Sequence, residues 1–188
     1  MDRLWGRLEP IAADHIVPME DGETAHIGGQ AIQAIHTPGH AIHHITYRLE
    51  DGLFTGDVGG IRIGHGPTIP PCPPPDIDLE AWLDSIQGMR VARPAFIYPT
   101  HFGIKRDGVT HFDSLEENLH RIAEWVRQQL AAGTSEEAMV PRFQVFLNGL
   151  LAGYGLDDRA IQDYEIADPA FMSIHGLARY WRKKEARG

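Results

Sequence analysis

The sequence predicts an α/β protein with a helical C-terminal extension. Three observations predict it. Short apolar runs broken by Gly- and Pro-containing turns fill the chain from Thr24 to Ile97. Apolar residues beyond residue 112 keep helical spacing. A histidine, an aspartate and a second histidine stand where predicted strands end.

The strands come first. Ala31, Gln33 and Ile35 alternate with Ile32 and Ala34, and the turn sequence Thr37-Pro38-Gly39 follows. A second strand runs from His44 to Leu49, and Asp51-Gly52 is a hairpin turn leading into Leu53-Phe54-Thr55 and Gly56-Asp57. Residues 64–75, GHGPTIPPCPPP, are too rich in Gly and Pro for a regular element and read as a loop. A helix opens at Asp78, an N-cap, and carries Leu79, Trp82, Leu83 and Ile86 on one face. Ala95 to Tyr98 forms a short strand that stops at Pro99, just before His101.

Helices follow. Ser114 with Glu117 reads as a capping box ahead of an apolar stripe of Leu115, Leu119, Ile122, Val126 and Leu130. Thr134 with Glu137 repeats the box, and Pro141 starts a further segment through Leu151. Asp168-Pro169 reads as an N-cap with Pro at the first helical position, and the last helix turns Phe171, Ile174, Leu177, Ala178 and Trp181 inward. At the other end, Leu4, Trp5 and Leu8 share a helical face that Pro10 terminates, so the chain opens on the end of a helix. The division expected is a domain over 1–112 and a helical extension over 113–188.

Composition narrows the function. The 188 residues carry a formal net charge of -9 and no basic block, which argues against nucleic acid as a partner. No apolar run approaches a membrane span, and the first residues lack a secretory signal pattern. Cys72 is the single cysteine, so no intrachain disulfide forms and a cytoplasmic setting is expected. Histidine is the unusual residue, with 11 copies that cluster.

The segment HTPGHAIHHITY contains His36, His40, His43 and His44. Pro38-Gly39 lets the backbone turn sharply, which sets His40 at a strand end. Asp57 ends an apolar strand after Gly56, and His101 follows Tyr98-Pro99-Thr100. Three strand ends thus offer His, Asp and His, all metal-ligand types, at one edge of a sheet. His43 and His44 point to opposite faces as their strand begins, and one of them can orient a ligand. His36 is expected to pack under the turn. His65, in the Gly/Pro loop, is a candidate for contact with substrate. His111, His120 and His175 are expected to be structural or on the surface, and the aromatic-rich last helix to pack into the core, with Arg179 and Tyr180 as alternative candidates to border a pocket.

The order TPGH, LFTGD and PTHFG, with a helix and strand before the last, resembles the later metal motifs of the metallo-β-lactamase superfamily, over roughly residues 24–105. The second histidine four residues after TPGH, His44, is similar to the pattern of its glyoxalase II-like branch. The resemblance implies an αβ/βα sandwich of four layers, of which this chain has the C-terminal half. It implies His40, Asp57 and His101 as metal ligands, with Asp57 bridging and catalytic. It implies two zinc ions per complete site, or manganese or iron, and hydrolysis of a small-molecule ester, thioester or lactone through a metal-activated water. The superfamily's leading motif, His-X-His-X-Asp-His, does not occur among these residues. The resemblance therefore also leaves room for a truncated remnant without activity, or for a mononuclear iron oxygenase of the same fold. A homodimer through the helical extension is a further expectation.

Overall fold

A computed structural model of the chain describes residues 9–101 and 103–187. The opening helix read at Leu4, Trp5 and Leu8 lies outside the described residues. Five strands form one sheet in chain order: β1 (Thr24–Ile27), β2 (Gln30–His36), β3 (Ile45–Leu49), β4 (Gly52–Gly56) and β5 (Phe96–Pro99). The first four are joined as antiparallel neighbours, and β5 runs parallel to β4. Parallel neighbours need a crossover, and helix α1 (Leu79–Val91) lies within it. Among the described residues four more α-helices follow: α2 (Gly108–Ala131), α3 (Glu136–Gly153), α4 (Asp158–Ala167) and α5 (Ala170–Glu185).

Alternation along the strands divides the sheet's faces. Thr46, Leu53, Thr55 and Ile97 are buried, and the Thr46 hydroxyl reaches Met89 Sδ of α1 at 3.8 Å. Tyr47 and Phe54 pair across β3 and β4 and remain exposed, with Phe54 stacked on Tyr98 at 4.5 Å between ring centroids. The core runs from Leu53 and Ile97 through Trp82 and Ile86 to Leu119, Ile122, Phe143, Leu147, Ile174 and Leu177.

The predicted stripe of α2 holds: Leu115, Leu119, Ile122 and Val126 are buried and Leu130 partly so, inside the chain's own core. Asp78 caps α1 as expected, its carboxylate accepting from the Ala81 amide. The other start signals were misplaced. Helix α2 begins earlier, at Gly108, so Ser114 lies within it, where its hydroxyl accepts from the Thr68 amide of the Gly/Pro loop. Ser135, not Thr134, caps α3 by accepting from the Ala138 amide. Pro141 starts no new segment but lies inside α3. The carbonyl it leaves without a donor belongs to Glu137, and both residues are exposed, so water can serve that carbonyl. Asp168 turns its carboxylate inward to Ser173, leaving Pro169 as an N-cap without a side-chain bond. Phe171 is exposed rather than inward, while Ile174, Leu177 and Ala178 are fully buried.

Candidate metal centre

His40 and Asp57 are each positioned by a distinct local device. The turn before His40 depends on Gly39, whose φ of +128° is open to glycine and whose absent Cβ would meet the Trp82 backbone at 2.3 Å. The turn is tied to α1 by Asp78 N–H donating to the Gly39 carbonyl at 2.9 Å and by the Ser85 hydroxyl donating to the Pro38 carbonyl at 2.7 Å. His40 itself lies edge-on to Trp82 and donates from Nδ1 to the Pro71 carbonyl at 2.9 Å. That bond places the ring's proton on Nδ1 and leaves the Nε2 lone pair directed away from it.

Asp57 opens a one-turn 3-10 helix, Asp57–Gly59, at the end of β4. Three side chains hold this turn. His44 Nε2 accepts from the Val58 amide at 3.5 Å, Trp82 Nε1 donates to the Val58 carbonyl at 2.8 Å, and His111 Nε2 donates to the Gly59 carbonyl at 2.7 Å. The tautomers follow from these partners. With Nε2 accepting, His44 donates from Nδ1 to the Thr37 hydroxyl at 3.0 Å, and Thr37 passes its proton toward Thr46 at 2.9 Å. Burial, then the neighbouring His40, lowers the His44 pKa to about 4; Asp57 opposes the shift. Burial also lowers His111 to about 4. Both rings are therefore neutral supports at neutral pH. Gly56 completes the device, because at φ 54° its Cβ would meet His44 Nε2 at 2.5 Å.

His101 follows β5 and is partly exposed. The three predicted ligands converge on Asp57: His40 Nε2 lies 3.6 Å from Oδ2 and His101 Nε2 3.4 Å from Oδ1. Each histidine thus meets its own carboxylate oxygen. Among the described residues no group of three His, Cys, Asp or Glu side chains closes into one complete metal-holding cluster. The trio instead forms two pairs that share Asp57. Asp57 Oδ1 is shielded from solvent and accepts no hydrogen bond among the described residues. His40 donates from Nδ1 to Pro71, which directs its Nε2 toward Oδ2 at 3.6 Å, longer than a direct hydrogen bond. The donor set and the bare carboxylate oxygen suit a divalent cation.

The remaining candidates separate. His44 supports the Asp57 turn. His43 is exposed. His36 is exposed, not packed beneath the turn, and its Nε2 bonds the Ile42 carbonyl at 2.9 Å. His65 is exposed on a cleft lined by Arg62, Tyr154 and Glu117, which none of the trio lines. Tyr180 borders a different cleft with Glu80 and Lys184. The sequence reading missed Trp82, Thr37 and Pro71 as supports and took His111 only as a structural or surface residue; all but Thr37 lie far along the chain from what they hold. A buried Trp facing a Gly-Asp strand end was the one available signal.

The comparisons identify the family. Residues 2–101 match the model of the metallo-beta-lactamase superfamily, and the chain belongs to that superfamily. It is 29% identical over 151 residues to a metallo-beta-lactamase fold-containing protein of Sulfurisphaera tokodaii, covering 78% of this chain and 55% of that one. It is 35% identical over 92 residues to an atrochrysone carboxyl ACP thioesterase of Aspergillus fumigatus, covering 48% of this chain and 20% of that one. The chain thus spans about half the length, or less, of these relatives. Among solved structures, an archaeal superfamily member from Sulfolobus tokodaii aligns with a TM-score of 0.52 at 30% identity, over 64% of this chain and 45% of its own. A family member from Thermus thermophilus aligns with a TM-score of 0.57 at 20% identity, over 90% and 50%, a likeness of fold.

Proposed function

We propose that this chain supplies the Asp57-centred half of a metallo-hydrolase site acting on an ester, thioester or lactone. The observation that carries the reading is the sharing of Asp57: each of its oxygens faces a different imidazole, at 3.6 and 3.4 Å, with Oδ1 otherwise bare. In the proposed site His40 and Asp57 hold one cation, and Asp57 and His101 the other. Zinc is proposed, with manganese or iron as the other metals these ligands accept. When bound, such a pair polarises a carbonyl and makes water a nucleophile at neutral pH. The residues contribute orientation: His40 is fixed by Pro71, and Asp57 is fixed through Val58 and Gly59. The thioesterase named among the relatives supports a thioester as one substrate class.

Catalytic zinc sites ordinarily have three protein ligands and a water. Two per cation fall short, and we propose that the remaining donors come from protein beyond these 188 residues or from a second chain. The test compares the 188-residue chain with a form extended upstream in frame, each assayed with zinc or manganese against a thioester and a lactone. The reading expects turnover to depend on the added segment and to disappear in D57N. Full activity retained by D57N would end it. Metal content separates the rivals: two zinc or manganese ions mark the hydrolase, one iron an oxygenase, and none a remnant without catalysis.

A further inference from the structure

The mechanism above makes no use of one buried polar cluster in the C-terminal helices. Asp168 lies at the junction of α4 and α5 and is 6% exposed; Ser173, in the first turns of α5, is fully buried. The Ser173 hydroxyl donates to Asp168 Oδ2 at 2.9 Å and accepts from the Cys72 amide at 3.1 Å. The peptide unit that supplies this amide is the Pro71–Cys72 bond. Its other end is the Pro71 carbonyl, which accepts from His40 Nδ1 at 2.9 Å. A continuous path therefore runs from Asp168 through Ser173 and one peptide plane to His40.

We infer that Ser173 and Asp168 are positioning residues for His40, acting through the Pro71–Cys72 peptide. An amide whose N–H donates to an acceptor backed by a carboxylate carries more electron density on its oxygen, and hydrogen bonds in series strengthen one another. The Pro71 carbonyl then binds the Nδ1 proton of His40 more firmly and keeps the Nε2 lone pair turned toward Asp57. A second observation fixes the adjoining backbone. Gly176 of α5 packs against the next peptide, Cys72–Pro73, where a Cβ would meet the Cys72 carbonyl at 1.9 Å. The helical region thus orients the strand-end histidine through backbone rather than by contact. Burial raises the Asp168 pKa to about 7, so the carboxylate is charged at mildly alkaline pH.

The inference rests on the reading of His40 as a ligand, and its test has two separable arms. Imidazole nitrogen NMR of the metal-free chain, at mildly alkaline pH, reads which ring nitrogen carries the proton. Native protein is expected to show His40 as a single Nδ1–H form. S173A and D168N should convert it to a mixture with the Nε2–H form. I174V, which trims a buried neighbour outside the path, should leave it unchanged. Thermal melting is followed alongside. If S173A does not fold, D168N, which keeps the shape of the side chain, decides alone. An unchanged His40 tautomer in folded S173A or D168N overturns the inference, even if melting falls. The second arm measures zinc affinity, where a loss of up to about 10-fold is expected. A tautomer change without any zinc binding in native protein would retain the path and reject the ligand reading.

Discussion

Gly56 is where a single side chain tests the construction of the site. Its φ of 54° lies in the left-handed region, and an added methyl would meet the His44 ring at 2.5 Å. Gly56→Ala should destabilise the protein by about 1–3 kcal/mol from backbone strain, with the clash in addition, measured by urea unfolding. It should also move Asp57, because His44 holds the Val58 amide. A variant as stable as the native chain would contradict the strain and the close approach of His44 at this position. At this scale the sequence was informative about the chemistry-bearing residues. His40, Asp57 and His101 follow β2, β4 and β5, and because these three strands run in the same direction their ends lie at one edge. The residues that hold them were not legible. Trp82 and His111 act on the backbone of Val58 and Gly59, and no local pattern encodes a side-chain-to-backbone bond between distant positions.

Elements behaved according to the length of the pattern that announces them. The stripe of α2 repeats over several turns, and burial follows it. Ile122 is 1% exposed in the chain's own core, so Ile122→Asp, which buries an unpaired charge, should cost several kcal/mol and abolish the cooperative melting transition. An unaltered melting temperature would mean that the stripe is solvated. Capping boxes are two-residue patterns, and three start signals failed. Ser114 was claimed by the Thr68 amide, Thr134 yielded to Ser135 one position on, and Asp168 was drawn inward by Ser173. A tertiary hydrogen bond displaced the cap at Ser114, a neighbouring local cap displaced it at Thr134, and a side-chain bond within the same helix start displaced it at Asp168. Pro141 was read as a boundary because proline removes a backbone donor; here the cost falls on an exposed carbonyl. Pro141→Ala should therefore stabilise α3 by about 1–3 kcal/mol in denaturant titration, and destabilisation would contradict the account of this helix.

For the whole molecule, three buried titratable groups set opposing dependences on pH. His44 and His111 have folded pKa values of about 4, below the ordinary 6.5. Between those values the unfolded chain binds more protons, so their contribution is complete above pH 6.5 and is lost as pH falls toward 4. Asp168 is held at about 7, above the ordinary 3.8, so its contribution is present below 3.8 and is lost as pH rises through 7. Two groups oppose one, and stability should fall on acidification from pH 6.5 to 4. His111 is fully buried and contributes up to about 3 kcal/mol of that fall, at about 1.4 kcal/mol per pKa unit. His111→Gln can still donate to the Gly59 carbonyl, and it should flatten the profile in denaturant titrations across this range. A slope as steep as that of the native chain would contradict the assignment. No helix among the described residues is long and apolar enough to cross a membrane. The family was legible in the order of its motifs. The substrate was not, because the relatives extend well beyond the region this chain covers.

The central claim is that Asp57 is shared by His40 and His101 in a two-cation site. Calorimetric titration of zinc into the native chain and into D57N, H40A and H101A tests it most directly. The account predicts measurable but weak binding to the native chain, partial loss in H40A and in H101A, and complete loss in D57N, because Asp57 is shared by both pairs. Zinc binding to D57N with the affinity and stoichiometry of the native chain would contradict it.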